Sequence, residues 1–231
     1  MKSILITGAS SGVGKATALH FLDNGWRVGL MARREDVLTK VANGHDNAVV
    51  LPGDVTHEAD VTRCFDAFGT VDVLFNNAGI FMPAAPVDET PLEAWNTALA
   101  VNLTGMFLCA RAAFGRMRTQ GGGRIINNGS VSAHTPRENA ITYTTTKHAI
   151  TGMTRQLSLD GRDLNICCGQ IDIGNAESEM VAAMKAKVPD LPTMAVEDVA
   201  RAILHMADLP LSTNILTMTI MANKMPYVGR G

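Results

Sequence analysis

A doubly wound α/β fold with a central, mostly parallel seven-stranded sheet in three layers is predicted by three features of this chain. Apolar runs of strand length alternate with amphipathic helical windows from end to end, the pattern of βαβ units. The 231 residues, 46% of them hydrophobic, suffice for a sheet buried on both faces within one domain spanning residues 1–231. Most strand-like runs also end in a glycine-rich turn, a pair of amides or a basic pair. Ligands bind beyond the carboxyl ends of the strands in an open parallel sheet, so these polar groups should meet at one edge.

The first run, Ser3–Thr7, opens onto Gly8-Ala9-Ser10-Ser11-Gly12-Val13-Gly14 and a helix from Gly14 to Asn24. Glycine tolerates positive φ and lets a ligand approach the backbone, while a helix N-terminus offers free N–H groups to phosphate. The spacing differs from the Gly-x-Gly-x-x-Gly dinucleotide fingerprint. The second run, Arg27–Ala32, leads into Arg33-Arg34 and a helix over Glu35–Ala42. NAD-binding folds usually place an acidic residue at that strand end for the ribose 2′-hydroxyl, whereas arginine suits a 2′-phosphate. NADP(H) is therefore expected over NAD(H).

A third strand, Ala48–Leu51, precedes Asp54-Val55 and a helix over Glu58–Phe68, and a fourth, Val71–Phe75, precedes Asn76-Asn77-Ala78-Gly79. A long helix follows, Pro91–Arg118, with Thr90 as N-cap, Pro91 in the first turn and Glu93 completing a capping box. Its core stripe runs Trp95, Leu99, Asn102, Met106, Cys109, Ala113. The one amide on that stripe, Asn102, must find partners or cost ~1–3 kcal/mol. The fifth strand, Arg124–Asn128, is followed by Ser130, and a helix over Ile141–Asp160 carries Tyr143 and Lys147. A sixth strand, Leu164–Cys168, stops before Gly169; a helix over Val196–Ala207 and a strand over Ile215–Met221 complete the pattern.

Tyr143 and Lys147 are four apart and so share a helix face. A free phenol, with a pKa near ~10, is a poor proton donor or acceptor at neutral pH. One ammonium at ~4 Å favours the phenolate by about 4 kcal/mol at an effective dielectric of ~20. The Ser130 hydroxyl is available to bind a carbonyl oxygen, with Ser132 and His134 as neighbouring loop residues. No Ser/His/Asp arrangement of hydrolase spacing accompanies them.

A net charge of −2 gives no ground for a nucleic acid or membrane partner, and the apolar stretch after Lys2 is too short for a secretory signal. A cytoplasmic protein is expected, with Cys64, Cys109, Cys167 and Cys168 as buried small hydrophobes.

Taken together, Thr7-Gly8-x-x-x-Gly12-x-Gly14, Asp54-Val55, Asn76-Asn77-Ala78-Gly79, Val101-Asn102, Ser130 and Tyr143-x-x-x-Lys147 resemble the main branch of the short-chain dehydrogenase/reductase family. The resemblance runs to about Ala200 and implies a Rossmann-type fold and reversible hydride transfer between a nicotinamide and a carbonyl or secondary alcohol, without metal. It implies that Gly8, Ser10, Ser11, Gly12, Val13 and Gly14 hold the dinucleotide. Asp54 would contact the adenine, with Val55 also at the cofactor, and Asn77, Ala78 and Gly79 would line its adenosine side. Asn102 would hold a water in a proton relay, Ser130 would orient the substrate oxygen, and Tyr143 would act as general acid/base. Lys147 would bind the nicotinamide ribose and stabilise the phenolate; Gly169 and Ile171 would border the cofactor, Ile171 through its backbone to the carboxamide.

The chain departs from the family in Cys168-Gly169, where Pro-Gly is usual, and in Ile173, where a threonine is expected, with Asn175 or Ser178 as substitutes. Residues 175–193 correspond to the family's variable substrate flap. Their mostly apolar character favours a carbonyl compound with an uncharged body, with Pro86, Val87 and His134 as further wall residues. A homo-oligomer, dimer or tetramer, through the two long helices is implied by the resemblance alone. The competing reading is a non-catalytic dinucleotide sensor or scaffold on the same fold, which would be free to lose Ser130, Tyr143 or Lys147; all three are present.

Overall fold

The computed structural model describes residues 1–186 and 188–228. Its strands are β1 (Ser3–Thr7), β2 (Arg27–Ala32), β3 (Ala48–Pro52), β4 (Val73–Asn76), β5 (Gly123–Asn128), β6 (Ile166–Ile173) and β7 (Thr217–Ile220). They form one sheet in the order β3-β2-β1-β4-β5-β6-β7, and every pairing is parallel. The chain winds outward from β1 to β3, then returns to place β4 on the other side of β1. That reversal opens a crevice at the carboxyl ends of β1 and β4.

Alternation along each strand feeds two cores. Ile4, Ile6, Phe75 and Ile126 face one side, where α1 (Gly12–Asp23) packs on α8 (Val196–Asp208). Leu5, Leu74, Ile125 and Cys168 face the other, under α3 (Glu58–Phe68) and the long helix. Of the other helices, α2 (Glu35–Ala42) contacts β2 and β3, and α6 (Ile141–Gly161) lies against β6. The four cysteines are free and buried; burial pushes the Cys109 thiol up to about 12.

The long helix is not uniform. It runs as α4 (Leu92–Leu99), a π-helical turn over Ala100–Gly105, and α5 (Met106–Gln120). Its apolar composition would suit a membrane span by length and hydropathy, yet the stripe Asn102, Met106, Cys109, Ala113 and Met117 is buried within this fold. The widened turn carries Asn102 and brings Gly105 against Val55, where a Cβ would stand 2.8 Å from the valine side chain. The Asn76 amide, fully inside, donates to the Met106 carbonyl at 2.7 Å. Thr90 does not cap this helix: its hydroxyl donates back to the Pro86 carbonyl, and Pro91 holds the N-cap position without a side-chain bond.

β6 corrects the expected register at the site. It continues to Ile173 instead of stopping at Cys168, because Gln170 to Ile173 pair with β7. Gly169 is therefore mid-strand. It permits close backbone approach: a Cβ there would stand 2.1 Å from the Ile215 carbonyl oxygen. The expected flap, 175–193, includes a short helix, α7 (Glu179–Lys185), capped by the Ser178 hydroxyl, which accepts from the Val181 N–H.

Away from the crevice, Arg124 enters the sheet at the amino end of β5, only 2% exposed. Its guanidinium donates to the carbonyls of Leu209, Pro210 and Thr213 and to Asn214 Oδ1, fastening the connection between α8 and β7.

Candidate active site

A cleft of about 600 Å³ lies at the crevice. One end is the turn between β1 and α1, where Gly8, Ser10, Ser11, Gly12, Val13 and Gly14 line the wall. Gly8 and Gly12 take φ of +69° and +51°, which L side chains rarely adopt. At Gly14 a Cβ would stand 2.3 Å from the Gly8 carbonyl oxygen and 2.6 Å from Asn77 Nδ2. The cradle is thus closed to side chains and lined by backbone at a helix N-terminus, the arrangement that suits a pyrophosphate.

Arg33 and Arg34 follow β2 on the same wall, with Arg34 donating to Ser10 Oγ at 3.4 Å. Asp54 and Val55 lie beside them. Partial burial pushes the Asp54 carboxyl up, but the Thr56 N–H and hydroxyl, with Arg33 and His57 nearby, outweigh it and hold the carboxyl below its usual value.

The β4 end is stitched to the β1 end. Thr7 Oγ1 accepts the N–H groups of Asn77 and Ala78 at 2.9 Å each, and Asn77 Nδ2 donates to the Thr7 carbonyl at 2.9 Å. The network continues outward, since Asn128 Nδ2 donates to Asn77 Oδ1 at 2.8 Å and Lys147 Nζ donates to the Asn128 carbonyl at 2.7 Å. A continuous hydrogen-bonded path therefore runs from the lysine on α6 to the glycine turn. Its ammonium lies 5.4 Å from the centroid of the Tyr143 ring, and the Phe81 ring packs against that ring with centroids 5.0 Å apart. Tyr143, Lys147, Ser130, Asn77, Ala78 and Gly79 all line the cleft.

Ser130 is 2% exposed; its hydroxyl oxygen accepts the Ser132 N–H at 3.1 Å, which leaves its own proton to donate. Its backbone N–H donates to Asp172 Oδ1 at 3.0 Å. Asp172 is fully buried on β6 and also takes a bond from Gln170 Nε2, while its second oxygen meets His134 Nε2 at 2.7 Å.

Three groups of expected site residues lie off the cleft wall. Gly169 and Ile171 do not line the cleft, because β6 buries both: Ile171 sits between Asn128 and Met218 in the sheet. Ile173, Gly174, Asn175 and Ala176 occupy that wall instead. Asn102 lies behind the wall, 1% exposed, where Oδ1 accepts the Ile80 N–H at 2.7 Å and Nδ2 donates to the Ile80 carbonyl at 2.9 Å. Its side chain holds the strand-end loop and does not face the cleft. Pro86, Val87 and His134 are not wall residues either; His134 is drawn to Asp172. Sequence reasoning passed over Asn128, Asp172 and Arg137. The amide pair at the end of β5 was a visible signal for the first, whereas the other two depend on contacts between distant segments.

The residues 2–189 match the family model of the short chain dehydrogenases. An uncharacterized oxidoreductase of Thermotoga maritima is 33% identical over 80% of this chain and 76% of its own. A 2-(R)-hydroxypropyl-CoM dehydrogenase of Xanthobacter autotrophicus is 32% identical, covering 88% and 90%. Among solved structures, the closed form of a serine dehydrogenase complexed with NADP+ superposes with a TM-score of 0.92 at 26% identity, over 99% of this chain and 98% of that one. A 3-ketoacyl-(acyl-carrier-protein) reductase from Brucella melitensis complexed with NADH gives 0.88, again at 26%, over 95% and 96%. The fold and its crevice are those of a doubly wound oxidoreductase. The chain belongs to the short chain dehydrogenase family.

Proposed function

We propose that this protein is an NADP(H)-dependent oxidoreductase interconverting a carbonyl compound and a secondary alcohol, with Tyr143 as general acid/base. The observation that carries the reading is the cleft shared by the glycine cradle, Ser130, Tyr143 and Lys147. A nicotinamide dinucleotide, bound by the cradle and by the wall at Asn77 to Gly79, supplies the hydride exchanged with the substrate carbon. In the reducing direction the Tyr143 hydroxyl gives its proton to the carbonyl oxygen; in the oxidising direction the phenolate takes it back. Ser130 donates a hydrogen bond to that oxygen. Lys147, fixed on the Asn128 carbonyl, favours the phenolate by its charge and presents its remaining N–H groups to the cofactor ribose.

Arg33 and Arg34 support the preference for the 2′-phosphorylated cofactor, since both line the cleft beyond β2 and no acidic side chain occupies that strand end. Self-association belongs to the same reading: Phe107 on α5 and Leu159 on α6 remain about half exposed on the two helices expected to meet a second copy.

The test is Tyr143→Phe, followed by NADPH absorbance with a panel of aldehydes and ketones. Turnover should fall by about 10²–10⁴-fold, the usual worth of a positioned acid/base, while dinucleotide binding persists. Activity near that of the parent protein would refute the assignment.

A further inference from the structure

We propose that the substrate carries an anionic group, a carboxylate or a sulfonate, and that Arg137 binds it. The inference rests on the oxidoreductase reading for where the substrate sits, and it names the class of substrate. Arg137 lies in the connection between Ser130 and α6, and its guanidinium lines the same cleft as Tyr143. Its backbone N–H donates to Thr144 Oγ1 at 3.4 Å, which fixes it beside the first turn that carries the tyrosine.

The chemistry of its partners is the argument. Nε donates to Ser132 Oγ at 3.1 Å, one terminal nitrogen to Asn175 Oδ1 at 3.2 Å and the other to Met184 Sδ at 3.9 Å. Every acceptor is neutral. Among the described residues no carboxylate reaches Arg137 as an ion pair: Asp172 is held by His134, Gln170 and Ser130, and Glu179, also on the wall, stays exposed. A half-buried guanidinium has five donors, no acceptor and a charge that favours an anionic partner over a neutral one. The thioether is a weak acceptor, so the nitrogen directed at Met184 is free to turn to a better one. A planar fork of this kind binds carboxylates and sulfonates through two parallel charge-assisted bonds.

The other cations of the cleft are already assigned. Arg33 and Arg34 stand at the β2 end for a phosphate, and Lys147 is engaged with Asn128. Arg137 remains, on the substrate side, beside the acid/base. An anion there places the reacting carbonyl between a charged anchor and Tyr143, which orients a small substrate by two points. The mostly apolar flap had favoured an uncharged body; the arginine reverses that expectation.

Arg137 also ties Asn175 and Met184 of the flap to the loop after β5, so a purely structural role must be told apart. The probes are 4-oxopentanoate and its methyl ester, which share the keto chain and differ in the negative charge and one methyl group. Binding of each to the protein saturated with NADP+ or NAD+ is measured by calorimetry, where no turnover can occur, and reduction of each is measured with NADPH or NADH. The parent protein should bind and reduce the acid at least 10-fold better than the ester. Arg137→Met should bring the acid-to-ester ratio close to one, and Arg137→Lys should keep part of it. A structural role would weaken both probes together and leave the ratio intact, and that result overturns the proposal, as does a parent protein that prefers the ester. Selective binding of the acid without reduction of either probe would keep the anion site and overturn the oxidoreductase reading instead.

Discussion

Gly14 is the position where a single methyl group tests the link between local geometry and cofactor binding. In Gly14→Ala the new Cβ would stand 2.3 Å from the Gly8 carbonyl oxygen and 2.6 Å from Asn77 Nδ2. The first contact is with backbone, so no rotamer change relieves it. Overpacking of this kind costs ~3 kcal/mol at the upper end. Displacing the Asn77 amide from the Thr7 carbonyl loses ~1 kcal/mol more. Alanine returns ~1 kcal/mol through its higher helix propensity. The net loss is about 3 kcal/mol, which lowers Tm by ~6–12 °C for a chain of this size. Differential scanning fluorimetry checks the stability, and titration with NADPH should show dinucleotide affinity reduced as the turn opens. As a contrast, Gly115 sits exposed on α5 with nothing within 4 Å of its would-be Cβ, so Gly115→Ala should raise Tm. A Gly14→Ala protein with the parent's Tm and NADPH affinity would sink the argument that this approach shapes the cradle.

Arg33→Asp should weaken NADPH binding about 10–100-fold more than NADH, the worth of one or more lost charge-assisted bonds; equal losses in fluorescence titrations would remove the 2′-phosphate role. Arg124→Met leaves the carbonyls of Leu209, Pro210 and Thr213 without their shared donor and should cost about 3 kcal/mol or more in urea unfolding, at ~1–3 kcal/mol for each buried acceptor left unpaired. Because Arg124 lies at the amino end of β5, away from the cleft, the folded fraction should keep the parent's turnover number. Loss of turnover with unchanged stability would contradict that placement.

Much of this protein is fixed by short-range pattern. The alternation of strand and helix windows follows from local periodicity, and so do the glycine turn after Thr7 and the i, i+4 pairing of Tyr143 with Lys147. The end of β6 was not legible in that way. Gly169 reads locally as a stop, but pairing with β5 as far as Ile171 and with β7, some 47 residues further along, carries the strand on to Ile173 and shifts the cleft wall to Gly174 and Asn175. The amide of Asn102 was conspicuous as a polar break in an apolar stripe, but its partner, Ile80, is chosen by the π-helical turn that rotates it. Arg137 carries no distinguishing local signal in the sequence. Its significance depends on which acceptors surround it, and those come from Ser132, Asn175 and Met184, three segments that meet only in the folded chain. Sequence alone determines which backbone conformations are cheap and which faces are apolar, because those are properties of neighbours along the chain. The assignment of partners to buried charges and amides is decided by tertiary packing, since desolvation acts on whatever groups are brought together in space.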